Sequence, residues 1–205
     1  MLKRVRILAI LAVAAIPLAL STVPAHAADT EQPMIFQNEW NSKCADLPDY
    51  GAPAVDAPVT QYTCNFTTSD NQIWYMQPTR TVNGNQLYQF QLMKGGQCLD
   101  LPNGGAEPLG THLEVYPCAS NPAADNQEWY LNYVSNAENG GTGYEVINYK
   151  DGLCLDVSGW AGLPGKVSAD TANNLPLTVY PCYNSAWGNN GYDDHVWDLD
   201  AVYLP

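Results

Sequence analysis

Asp46, Asp100 and Asp156 each stand two residues after a cysteine, and Tyr62, Tyr116 and Tyr180 each stand two residues before another. A carboxylate can accept hydrogen bonds from two adjacent hydroxyls, and such charge-assisted bonds are the stronger kind. A phenol ring beside it offers an apolar face on which the C–H face of a pyranose can stack. A side-chain amide close by, Asn71 or Asn126, supplies both a donor and an acceptor. Together these groups are suited to recognising a polyol. The plain alternative is structural, since Asp serves turns and Tyr is a common strand residue. One such pair would favour the structural reading; three at matched offsets favour a site.

The offsets belong to a repeat of longer range. Cys44-Ala45-Asp46-Leu47-Pro48 closes with Tyr62-Thr63-Cys64; Cys98-Leu99-Asp100-Leu101-Pro102 closes with Tyr116-Pro117-Cys118; Cys154-Leu155-Asp156-Val157 closes with Tyr180-Pro181-Cys182. A polar cluster and a tryptophan follow each: Asn71-Gln72-Ile73-Trp74, Asn126-Gln127-Glu128-Trp129 and Asp194-His195-Val196-Trp197. A motif written three times implies one structural unit copied three times. Six cysteines allow 15 pairings. The repeat favours Cys44–Cys64, Cys98–Cys118 and Cys154–Cys182. If each bridge joins facing positions of two antiparallel segments, Asp100 lies opposite Tyr116 with Cβ atoms about 5 Å apart, and the other two pairs follow suit.

The supporting elements read as strands. Every second residue is apolar in Tyr88-Gln89-Phe90-Gln91-Leu92 and in Leu175-Pro176-Leu177-Thr178-Val179, and Tyr144 to Tyr149 is a third candidate. Lys94-Gly95-Gly96 and Lys150-Asp151-Gly152 read as turns. No stretch sustains a helical period, so the chain is expected to be all-β. Trp74 and Trp129 are expected in the core, with Gln72 and Gln127 bonding backbone beneath the site.

Residues 1–27 have the layout of a secretory signal peptide. Lys3, Arg4 and Arg6 precede an apolar stretch from Ile7 to Leu20, and Ala25-His26-Ala27 is a small-residue cleavage signal. The protein is therefore expected to be secreted and extracellular, where disulfides are the default. After cleavage five of the eight basic residues remain against all 21 acidic ones, a formal charge of 5 − 21 = −16. Such a surface repels nucleic acid and anionic membranes, and no later segment is apolar for long enough to span a bilayer. The cysteines lack the short spacing of zinc sites and no EF-hand loop occurs, so neither a metal nor a cofactor is expected.

The threefold Cys-x-Asp, aromatic-x-Cys and Asn-Gln-x-Trp pattern resembles the ricin B-type lectin family, over roughly residues 36 to 205. The resemblance implies a β-trefoil of three pseudo-equivalent repeats (about 36–85, 86–141 and 142–205, after a lead-in at 28–35), each with its own disulfide. It also implies a shallow galactose- or xylose-type pocket in each repeat. Asp46, Asp100 and Asp156 would bind hydroxyls, Tyr62, Tyr116 and Tyr180 would stack on the sugar, and Asn71 and Asn126 would bond a further hydroxyl. Four residues before the second cysteine the family commonly has a long polar side chain. Thr60, Glu114 and Thr178 stand there, and only Glu114 offers comparable reach. The third repeat departs most. Asp194-His195 replaces Asn-Gln, and Trp160 to Asn174 is inserted between its Asp and Tyr, so its pocket is expected to be altered.

The leading expectation is a non-catalytic carbohydrate-binding protein whose partner is a glycan or polysaccharide. The alternative is a protein-binding trefoil, either an inhibitor or the targeting subunit of a toxin or enzyme complex. Catalysis is disfavoured. His112 and His195 fall in different repeats, no G-x-S-x-G motif occurs, and Asp193-Asp194 reads as a solvated turn.

Overall fold

In a computed structural model of the chain, the described residues are 32–134, 143–159, 171–182 and 194–203. The expected signal peptide, Asp193 and the part of the insert from Trp160 to residue 170 lie outside them. Strands dominate: β1 (Pro33–Asn38), β2 (Lys43–Asp46), β3 (Ala57–Pro58), β4 (Thr60–Thr63), β5 (Trp74–Val82), β6 (Asn85–Leu92), β7 (Gln97–Asp100), β8 (Glu114–Pro117), β9 (Trp129–Val134), β10 (Gly143–Asn148), β11 (Cys154–Val157), β12 (Leu175–Tyr180) and β13 (Val196–Ala201). Two three-residue 3₁₀ turns lie at Pro102–Gly104 and Pro122–Ala124. No helix there is long and apolar enough to cross a membrane. The first strand begins at Pro33, so Pro33, Met34 and Ile35, the end of the expected lead-in, belong to the sheet.

Six strands close into a ring. β1 pairs with β13 and β5, β5 with β6, β6 with β9, β9 with β10, and β10 with β13, all antiparallel. Closure leaves this barrel without exposed edges. β5 and β6 form its longest hairpin, turning at Asn83-Gly84 with φ of 51° and 87°. Asn-Gly is the dipeptide that a turn with two positive φ values favours.

Three further hairpins, β2–β4, β7–β8 and β11–β12, cap the ring. At their centre three backbone bonds form a closed triangle. The Val59 amide donates to the Leu113 carbonyl (3.0 Å), Leu113 to Leu177 (2.9 Å) and Leu177 to Val59 (2.9 Å). Each of these residues lies five before the second cysteine of its repeat, and all three are fully buried. The arrangement is that of a β-trefoil. Trp74, Trp129 and Trp197 are fully buried in one apolar cluster with Phe36, Phe90, Leu101 and the three triangle residues. Trp129 Nε1 donates to the Leu99 carbonyl (3.3 Å) and Trp197 Nε1 to the Leu155 carbonyl (3.1 Å), so two large apolar side chains are buried without orphaning a donor.

Bridges join Cys44 to Cys64, Cys98 to Cys118 and Cys154 to Cys182, with Cα–Cα distances of 5.0, 4.9 and 4.9 Å. The register differs from the sequence expectation. Cys98 faces Tyr116, and Asp100 faces Glu114. Likewise Cys44 faces Tyr62 and Asp46 faces Thr60, while Cys154 faces Tyr180 and Asp156 faces Thr178. The second cysteine of each pair lies just beyond its strand, so the bridge links diagonal rather than facing positions. The tyrosine therefore sits one pleat along from the aspartate, at a diagonal spacing of roughly 7–8 Å in an antiparallel pair.

Candidate functional site

Each capping hairpin brings an aspartate to the last or next-to-last residue of its first strand, and Asp46, Asp100 and Asp156 are only 6, 4 and 7 % exposed. The diagonal tyrosines are more open: Tyr116 is 43 % and Tyr180 47 % exposed, and Tyr62 is half-buried. Parity puts both on one face, since positions two apart and positions directly opposite share a side of the sheet. A sunken carboxylate thus stands beside a phenol ring that is exposed in the second and third hairpins and half-buried in the first. The sequence expectation of a shared face holds, while that of a facing pair does not.

The chain leaves the strand through a tight bend three residues after each aspartate. Asp49, Asn103 and Gly159 have φ of 66°, 71° and 112°. Asp, Asn and Gly are the residues that tolerate this conformation. The bend folds a short loop over the aspartate. In the first repeat Asn71 Nδ2 donates to the carbonyls of Asp49 (3.2 Å) and Gly51 (3.1 Å). In the second, Asn126 Nδ2 donates to those of Pro102 (3.2 Å) and Gly105 (3.0 Å). Both asparagines are buried, with their amide donors committed to these loops. These bonds shape the rim of each pocket, and the Oδ1 atoms of both asparagines have no hydrogen-bond partner among the described residues.

Two lysines missed by the sequence reading complete the rim. Lys94 Nζ donates to the carbonyls of Tyr50 (2.6 Å) and Ser69 (2.7 Å), and Lys150 Nζ to those of Gly104 and Ala124. Each belongs to the repeat that follows the loop it clamps. Their common place in the turn before the next cysteine was the available signal.

The glutamine two before each of the first two tryptophans supports the aspartate. Gln72 Nε2 donates to Asp46 Oδ1 (3.1 Å) and to the Thr63 carbonyl (3.1 Å), while its Oε1 accepts from the Asn65 amide (2.7 Å). Gln127 bonds backbone in the same way, through the Pro117 carbonyl (3.2 Å) and the Ala119 amide (2.8 Å). In the third repeat His195 takes this place, with Nε2 3.3 Å from Asp156 Oδ1 and Nδ1 3.6 Å from Asp194 Oδ1. Thr178 Oγ1 donates to Asp156 Oδ2 (2.6 Å). Asp194 is 1 % exposed, which corrects the expectation of a solvated turn: the position corresponds to Asn71 and Asn126, which the fold also buries.

The electrostatics follow from burial. Burial pushes the Asp46 carboxyl up to about 6; the Gln72 amide opposes this and the nearby Asp70 charge adds to it. Burial pushes Asp100 up to about 7, with Asp125 and Glu114 adding to it and Gln127 opposing. Glu114 is raised by burial and by Asp56. A sunken acceptor carboxylate, an exposed ring and a fixed loop can hold one face of a small polar ring molecule. Asp156, Asp194 and His195 place three oxygen and nitrogen atoms within 4.8 Å of one another, a grouping able to hold a metal ion.

A family profile described as ricin-type beta-trefoil lectin domain-like matches residues 28–116 and, overlapping, residues 70–169. Among solved structures the chain is similar to a designed threefold-symmetric protein, ThreeFoil, at 19 % identity, covering 84 % of this chain and 99 % of that one with a TM-score of 0.60. It is similar to the Haemophilus ducreyi cytolethal distending toxin at 18 % identity, covering 85 % and 86 % with a TM-score of 0.56. It is also similar to the C-half of the earthworm R-type lectin, solved in complex with GalNAc, at 13 % identity, covering 83 % and 98 % with a TM-score of 0.51. No curated protein matches the sequence.

Proposed function

Because the chain belongs to the ricin-type β-trefoil lectin-like family, we propose that it is a secreted, non-catalytic carbohydrate-binding protein. It recognises galactose- or xylose-type sugars through pockets repeated around the trefoil axis, each repeat closed by its own disulfide. The observation that carries this reading is the recurrence in three hairpins of a buried aspartate with a solvent-accessible tyrosine one pleat away. A structural aspartate needs no open ring beside it. One stacked ring and a few net hydrogen bonds of about 1 kcal/mol each correspond to roughly millimolar affinity for a monosaccharide. Several pockets on one rigid body multiply that on a polymer.

The test is retention of the mature protein on immobilised galactan and xylan, compared with the triple variant Asp46→Asn/Asp100→Asn/Asp156→Asn. Loss of retention in a folded variant supports the assignment, and equal retention refutes it. A glycan array without hits, together with capture of a protein partner, would favour the protein-binding alternative.

A further inference from the structure

The three pockets share their aspartate and tyrosine but differ in the residue facing the aspartate. In the first and third repeats it is a threonine. Thr178 caps Asp156 with a hydrogen bond, and Gln72 holds Asp46. In the second repeat the facing residue is Glu114, half-buried, so two carboxylates meet across β7 and β8. Asp125 and Asp56 add negative charge, as their effects on Asp100 and Glu114 show. Among the described residues no lysine or arginine forms a salt bridge with any of these four acids. Lys150, at the rim, donates to the Gly104 and Ala124 carbonyls.

Asp100 is 4 % exposed, and its Oδ1 has no hydrogen-bond partner among the described residues. Two facing carboxylates with an unpartnered buried oxygen are unfavourable for neutral ligands alone, since like charges directly opposite destabilise a strand pair. A cation between them relieves that repulsion. The four acids do not bring three ligand atoms within 4.8 Å of one another, as the groups able to hold a metal ion do. An ammonium on a sugar needs no such cage: it donates to one or two carboxylates while the ring stacks on a neighbouring aromatic. Tyr116 is exposed on the same face, one pleat from Asp100, and a phenol face also attracts a cation.

We infer that the pocket of the second repeat selects a hexosamine with a free, protonated amine, held between Asp100 and Glu114 and stacked on Tyr116. The inference rests on the carbohydrate-binding reading above and adds a substrate class to one of its pockets. Glu114 sets the specificity, because it is what distinguishes this pocket's wall from those built on Thr60 and Thr178.

The test measures binding of a glucosamine oligosaccharide, its fully N-acetylated counterpart and neutral galactan, at a pH where the amine is protonated. Wild type, Glu114→Gln and Glu114→Thr are compared, with poly-lysine as a cation that is not a sugar. The expected result is a preference of about tenfold or more for the free amine, the size of one charge-assisted bond. Both variants lose that preference. Equal binding of the free and N-acetylated sugars, or a preference that survives both substitutions, overturns the inference while leaving the lectin reading intact. Poly-lysine binding that falls in parallel with the hexosamine overturns it too, by reducing the effect to surface charge. Binding to no glycan at all overturns both readings.

Discussion

Gln72 reaches across 26 residues of sequence to hold Asp46, its Nε2 3.1 Å from the carboxylate Oδ1, and with the same side chain bonds the backbone at Asn65 and Thr63. One fully buried amide therefore joins the first pocket to the strand behind it. Replacing it with leucine, Gln72→Leu, leaves a buried carboxylate oxygen and two backbone groups without those partners. The expected loss is about 1–3 kcal/mol of stability, read as a lower midpoint in urea. Retention on glycan should fall as well. Unchanged stability would show that Asp46 is positioned without this amide.

The raised carboxyls make binding and stability respond to pH in opposite directions. Asp46 and Asp100 stand at about 6 and about 7 in the folded protein, against 3.8 for the ordinary group, because burial disfavours their charge. Between these values the native state holds more protons than the unfolded chain. Through these two groups, stability is therefore greatest at low pH and declines as pH rises through about 4 to about 7. Accepting bonds from hydroxyls requires the charged form, so affinity rises over the same window. Melting temperature and galactan affinity measured across this range should diverge; a joint rise would contradict the assignment of these carboxylates as acceptors.

Leu113 is one corner of the backbone triangle with Val59 and Leu177 and is fully buried. Leu113→Ala keeps the amide bonds and opens a cavity beneath all three hairpins, at a cost of about 2–5 kcal/mol. Leu109→Ala, at a position 55 % exposed, should stay within about 0.5 kcal/mol of the parent. Thermal or urea unfolding of the pair separates core packing from general loss of an apolar side chain.

Each disulfide closes a short loop of the unfolded chain. Removing Cys98–Cys118, separated by 20 residues, as the double serine variant should cost about 3 kcal/mol in the chain-entropy model, and Cys154–Cys182, separated by 28, only a few tenths more. Equilibrium unfolding of the two double variants checks both the size and the near equality. A large difference would mean that one bridge acts mainly through the folded state.

The residue offsets alone grouped Asp100, Tyr116, Cys98 and Cys118 into one unit, on one face, and marked Trp129 as core. They did so because side-chain parity in strands has a period of two and because a motif repeated three times leaves little room for coincidence. Which residue stands opposite Asp100 was not legible. A slip of one residue would expose the wrong face and is visible in the pattern, whereas a slip of two preserves every face and leaves no trace in the sequence. Only the paired backbone decided that Glu114 faces Asp100 and that Tyr116 lies one pleat away. The tertiary structure likewise decided that Asn71 and Asn126 serve the loops and that Lys94 and Lys150 clamp the repeat before their own. Those partners meet only when the closed barrel brings neighbouring repeats together, so nothing within a single repeat could specify them.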